Sequence, residues 1–416
     1  MPHRAHYLQS RIESARSRIR ILSTLRNLAA LPKAGDLTDR QWRGINLQFA
    51  GRQTNLMERL AAAEQRLLPH IYQRAVQRQL NAALGQLELD LSQALVIFDT
   101  YMDVLTQRHP GPLGAMLAGC DIVAKDALRR DHPSLLAVED PLVYCDRGFG
   151  ASTLREGVVF PGGARNPMPL IQIPYSRLLE KYNLTSILHE VGHEAMARLG
   201  LRTELPKVFR ATVSKAGGSS AIADLFSLWS SEIGPDFWGF CCSGLAAAGT
   251  IQEFLALPPA HVFRVLWTDP HPPPYIRALL AFRLCRDVWG RGPWDEWQST
   301  WLGNYPIDQA PADSKPTLRQ AQRVIPAISE ALLSHKFDTT GGRPIPSMFN
   351  LGVLNPGSLA GRINGSSIRL RGLRPAAHLA VFRVLREQRN IAEPALDRLM
   401  TQWLLTLGKR KAAAPK

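Results

Sequence analysis

Cysteine is scarce. Cys120, Cys145, Cys241, Cys242 and Cys285 make an odd five in 416 residues, and no two stand as CxxC. That argues against a secreted disulfide framework and predicts a reducing compartment. Long apolar runs are missing too. The least polar stretch, Phe237 to Ile251, is broken by Gly239, Ser243, Gly244 and Gly249 and is shorter than the roughly 20 residues a membrane-spanning helix needs. No apolar signal core follows Met1-Pro2-His3-Arg4-Ala5-His6. Together these absences predict a soluble, cytoplasmic protein. Acidic residues are outnumbered, 35 Asp and Glu against 50 Lys and Arg, for a net charge of +15. The excess is spread along the chain, and only Lys409-Arg410-Lys411 is a dense run. Such a charge suits an acidic protein partner, nucleic acid or an anionic membrane. A solvated basic surface is the plainer reading, because no zinc-finger spacing or RNA-binding aromatic signature accompanies it. No internal repeat is present.

What is there begins with helix. Leu8, Ile12, Ala15, Ile19 and Leu22 alternate spacings of four and three, the stripe of a helix packed on helices. Thr38-Asp39-Arg40-Gln41 has capping-box form. Leu80, Leu84, Leu87, Leu91, Ala94, Phe98, Met102 and Leu105 form a further stripe, which His109-Pro110-Gly111-Pro112 ends. Residues 1–110 therefore read as a helical bundle or coiled-coil unit. Beyond them, Pro141–Cys145, Gly157–Phe160 and Pro169–Pro174 are short apolar runs bounded by Gly and Pro, and read as strands. Helical patterns resume near Asn183 and continue to about 337. Thr339–Pro346 looks like a linker, and helices are expected at about 375–389 and 393–407. The expected fold class is mainly α (α+β), with units at 1–110, 111–338 and 339–416.

The chemistry concentrates in Leu184-Thr-Ser-Ile-Leu-His-Glu-Val-Gly-His-Glu194. His189 and His193, four apart on a helix, present both imidazoles on one face. Two neutral imidazoles so placed can grip Zn²⁺, and with no cysteine pair at hand the rest of the ligand set must be imidazole or carboxylate. Glu190, next to the first His, can take a proton from a water at the metal. Asn183 or Thr185 can cap this helix, and the preceding Pro169–Pro174 strand could present substrate backbone beside it. A hydrogen-bonded core His pair is the plainer alternative. For a third ligand Glu232 is the better candidate and Asp224 the rival. Glu232 and Asp236 are again i and i+4, so Glu232 could bind zinc while Asp236 accepts a hydrogen bond from a ligand imidazole. Neighbouring Trp229, Phe237 and Trp238 suggest burial. Trp289, Trp294, Trp297 and Trp301 read as core or cleft wall.

An HExxH helix, a later ExxxD and then Asp269-Pro-His-Pro-Pro-Pro-Tyr-Ile-Arg277 resemble the gluzincin zinc peptidases, in an order most like the HtpX and CAAX-prenyl-protease group. The resemblance covers about residues 185–290. It implies that His189, His193 and Glu232 hold zinc, that Glu190 is the base, that Asp236 supports a ligand, and that His271 and Arg277 sit near the site. Two features depart from that group. Its members are membrane proteins, and Gly234-Pro235 falls inside ExxxD, which fits a helix that starts near Glu232. His271 could hydrogen-bond an oxyanion, with Tyr275 a weaker alternative. Otherwise His271 is a loop residue, with Arg277 salt-bridged to a core carboxylate.

The expectation is a zinc metalloendopeptidase acting on a protein or peptide substrate, with an acidic partner matched to the basic surface. The alternative is a basic helical adaptor or nucleic-acid-binding protein whose zinc site is structural or vestigial.

Overall fold

The computed structural model describes residues 2–29, 37–148, 150–160, 165–365, 367–388 and 391–413. The chain is mostly helix with two small sheets, the mainly α (α+β) class its patterning predicts. The first three long helices are α1 (Pro2–Ile21), α2 (Asp39–Leu67) and α3 (Arg74–Thr106). Leu8, Ile12, Ala15 and Ile19 of α1 face the α3 stripe, and all are buried. Thr38 opens α2 with both bonds of the capping box, so two end amides find partners in one motif. Phe49 meets Phe98 and Tyr101 edge-on, with ring centroids 5.7 and 5.9 Å apart.

Next comes a helix the sequence reading does not contain, α4 (Pro112–Leu128). The His109–Pro112 break ends one helix and also begins another, because proline in a first turn gives up an amide that had no helical partner anyway. Strands follow at β1 (Leu142–Asp146), β2 (Ser152–Leu154) and β3 (Leu170–Pro174), in the order β1-β3-β2. The β1 strand runs parallel to β3, pairing Leu142 with Leu170; β2 runs antiparallel, pairing Thr153 with Ile171. Gly157–Phe160, expected as a strand, is not one. Gly157 takes φ +80° and Val159 makes a single bridge to Arg165, so this segment folds back on itself while the less apolar Ser152–Leu154 joins the sheet.

The sheet divides two apolar cores. Leu142 and Leu170 belong to the core of α1–α3; Val143, Cys145, Ile171 and Ile173, pointing the other way, belong to the larger one. The outer edge of β1 is covered by side chains. Asp121 accepts from the Val143 amide at 2.8 Å. Gln107 accepts from the Cys145 amide and donates to the Cys145 carbonyl, each at 2.7 Å. Arg108 donates to the Val143 carbonyl and to the Asp121 carboxylate.

The larger core gathers α5 (Thr185–Arg198), α6 (Leu201–Lys215), α7 (Ser220–Ser243), α8 (Leu245–Phe254), α9 (Pro274–Trp289), α10 (Pro293–Asn304) and α11 (Lys315–Ser334). Helices α12 (His378–Glu387) and α13 (Glu393–Ala413) add to it. The α13 helix lies so close to α4 that a Cβ on Gly119 or Gly408 would strike the facing backbone. In the stretch read as linker-like, Thr339 donates to Glu204 through both amide and hydroxyl, and Thr340 and Ile345 are buried. Trp294, Trp297 and Trp301 are core residues. Among the described residues no helix is long and apolar enough to cross a membrane.

Arg108 and Asp121 are 1% and 3% exposed, so their charges depend on each other. Asp121→Ala, which strands the guanidinium, is expected to lower the unfolding free energy by about 3–5 kcal/mol. Glu13→Ala removes an exposed carboxylate and leaves its partner Arg16 paired with Glu64, so it should cost less than about 1 kcal/mol. Urea unfolding of both variants checks the contrast, and equal losses would refute it.

Candidate metal centre

Two helices make the site. The α5 helix begins without the side-chain cap expected of Asn183 or Thr185. The turn Lys181–Asn183 runs directly into it, so the Ile187 amide bonds the Leu184 carbonyl at 3.0 Å, and Asn183 turns back to Glu180. The α7 helix does not start near Glu232 as Pro235 suggests. It is capped by Ser219 and runs unbroken from Ser220 to Ser243, with Pro235 in its interior. Proline there forfeits one helical hydrogen bond, and close packing accompanies that loss. A Cβ added to Gly192 would lie 2.7 Å from the Pro235 Cα and 3.0 Å from its carbonyl oxygen. Gly239 faces Leu188 and His189, and Gly234 faces Met196. Position climbs one helix as it falls on the other, so the two run antiparallel.

This contact brings the i,i+4 pairs together. His189 Nε2 stands 3.3 Å from Glu232 Oε2, and His193 Nε2 3.8 Å from Glu232 Oε1. His271, in the loop before α9, places its Nε2 3.6 Å from the same Glu232 Oε2, while its Nδ1 meets Asp269 at 2.7 Å. His189 Nδ1 meets Asp236 at 2.8 Å, and Arg277 grips both Asp236 oxygens at 2.7 and 2.8 Å. The carboxylate salt-bridged to Arg277 is thus Asp236. Ligand atoms of His189, Glu190 and His193 all lie within 4.8 Å of one another, a group that could hold a metal ion. The Glu190 carboxylate also accepts from the Thr153 hydroxyl at 2.8 Å.

Charge and burial set the protonation states. Burial disfavours the His189 cation, but Asp236 and Glu232 outweigh it and lift that imidazole to about 10. Burial and the neighbouring His189 push His193 down to about 4. Burial raises Glu190. Burial would also raise Asp236 and Glu232, yet Arg277 and His189 hold Asp236, and His189 and His193 hold Glu232, below the usual carboxylate range. All these side chains line one cleft of about 680 Å³.

The other candidates lie elsewhere. Asp224 is exposed and paired with Arg210. Tyr275 is buried, packs on Phe263 and donates to Gln322 at 3.2 Å. The Pro169–Pro174 run cannot present a free edge to a substrate. It forms β3, the central strand with neighbours on both sides, and β2 is the edge strand beside the cleft. Thr153 on β2 was not legible, because Ser-Thr-Leu carries too little apolar pattern to mark a strand. Arg155, Arg177, Ser186 and Arg202 also line the cleft without any motif to flag them. Compared with protein-family models, curated proteins and solved structures, the chain finds no match.

The two imidazoles make opposite contributions to stability in metal-free protein. His189, raised to about 10, stabilises fully below its ordinary value of about 6.5, and that contribution fades as pH climbs toward 10. His193, depressed to about 4, resists protonation, so stability is lost as pH falls from about 6.5 toward 4. In chelator-treated protein, the stability advantage of wild type over His189→Gln should therefore shrink from pH 6.5 to 10. Urea titrations across that range test it; an advantage that grows with pH would refute the assignment.

Proposed function

We propose that the chain is a zinc-dependent metallopeptidase, with His189, His193 and Glu232 as metal ligands. The observation that carries this reading is the convergence of three imidazole Nε2 atoms on one carboxylate, with Glu190 beside them. Two imidazoles and a carboxylate form a ligand set suited to zinc with one position left open. When bound, zinc supplies Lewis-acid polarisation of the scissile carbonyl and acidifies a water.

The chain's own residues do the rest. Asp236 holds His189 through Nδ1, leaving Nε2 directed at the metal position, and Arg277 fixes Asp236. Arg277 also balances a carboxylate that would otherwise repel Glu232. Glu190, raised by burial, takes a proton from water and delivers it to the leaving amine. Thr153 orients that carboxylate. His271, the most exposed of the three imidazoles, can donate to an oxyanion as the carbonyl is attacked. The β2 edge gives an extended peptide a backbone to pair with alongside the metal.

Two experiments test this. Metal analysis should find about one zinc per wild-type chain, the stoichiometry of a single site with three protein ligands. Occupancy should fall for Glu232→Ala and hold for Asp224→Ala; the reverse order would remove Glu232 from the ligand set. Glu190→Gln should keep its zinc and melting temperature while peptide cleavage falls about 10²–10⁴-fold. A Glu190→Gln protein that cleaves at the wild-type rate would leave the helix as a structural metal clip.

A further inference from the structure

Cations without matched anions line the cleft. Arg177, in the turn after β3, is only 5% exposed, and its Nε has no hydrogen-bond partner. The ion pair it makes is long, 3.9 Å from Nη1 to a half-exposed Glu180. Its guanidinium lies 4.4 Å over the Phe254 ring, so stacking holds it more than charge does. Burial lowers its pKa, a sign of a cation short of compensation. Ser186 stands one turn before His189 and Glu190 on α5, and its hydroxyl oxygen is likewise buried without a partner. Both residues line the cleft.

Past His193, Arg155 and Arg202 line the same cleft. The nearby carboxylates are engaged elsewhere: Glu194 by Arg198 and the Glu156 amide, Glu156 by the Glu139 amide. We propose that the cleft selects acidic polypeptides, with Arg177 and Ser186 forming a carboxylate subsite on one side of the metal ligands and Arg155 and Arg202 a more open one beyond His193. This deepens the peptidase reading and rests on it. A sheltered guanidinium and an unpartnered hydroxyl lining the same cleft offer a carboxylate charge-assisted hydrogen bonds. Between Ser186 and His193 along α5 the cleft lining holds Glu190, and α7 adds Glu232 and Asp236 to it. A nucleic-acid backbone would have to carry phosphates across those carboxylates, whereas a polypeptide can carry its charges only where the arginines are.

The test reads binding, so it needs no turnover. Calorimetry at low salt on chelator-treated full-length protein compares a blocked decapeptide of alternating Glu and Ala with its Gln counterpart. The Glu peptide should bind about tenfold tighter or more, as expected of charge-assisted bonds, and rising salt should erode the difference. Arg177→Met keeps the apolar stem and should cut the preference to about threefold or less. Ser186→Ala, a milder change, should reduce it about threefold if Arg177→Met does not fold. Equal binding of the two peptides, or a preference untouched in these variants, would overturn the proposal. So would an oligothymidylate decamer that binds more tightly than the Glu peptide. With zinc restored the two readings separate: a Glu peptide that binds selectively but is never cut sinks the peptidase and leaves the selectivity. Peptides bound and cut alike sink the selectivity and leave the peptidase.

Discussion

Helices Thr185–Arg198 and Ser220–Ser243 meet backbone to backbone at Gly192 and Pro235, a contact that leaves no room for a Cβ. Everything at the site hangs on it. Were the helices spread by even one methyl group, Glu232 would draw away from the imidazole nitrogens and Asp236 from the other face of His189. Gly192 thus has a mechanical task inside the His-Glu-Val-Gly-His run, although it carries no chemistry. Pro235 has a matching one. Its cost to the helix is local, while the seam it shares with Gly192 and the neighbouring Gly239 positions four functional side chains.

Charges then alternate in sign through the seam: Arg277, Asp236, His189, Glu232. Each member is held in its ionised form by its neighbours despite burial. Without a metal, the proton on His189 balances the two carboxylates. A divalent cation at Nε2 would displace that proton, so metal uptake and proton release are linked. His193 is neutral throughout the physiological range and available as a donor.

Periodic features were legible from residues alone. The α1 and α3 stripes follow from helical spacing, the Thr38 cap from end chemistry that acts within a few positions, and the two apolar strands from short apolar runs bounded by Gly and Pro. The 189/193 and 232/236 pairs were legible for the same reason, and the geometry brings all four together. What failed was non-local. Pro235 reads as a helix start because local sterics say so, and only packing against Gly192 accounts for an interior proline. The α4 helix was hidden behind a Pro-Gly break that works in both directions. Thr153 sits in a strand defined by its pairing with β3 and not by its own composition. Arg177 and Ser186 carry no pattern, and their meaning comes from being buried without partners.

The sheet has a further consequence. In most sheets a strand that slips by one residue is punished by turning its apolar face to water. Here both faces are covered, and a slip of β1 would simply exchange Leu142 for Val143 between two oily compartments. Hydrophobicity is nearly degenerate with respect to register. The degeneracy is broken by polar pins on the outer edge, where Asp121, Gln107 and Arg108 recognise the amides and carbonyls of Val143 and Cys145 specifically. Three side chains from the end of one helix and the middle of the next therefore act as the alignment marks of the sheet, and through β3 they set where β2, and Thr153 with it, comes to rest against Glu190.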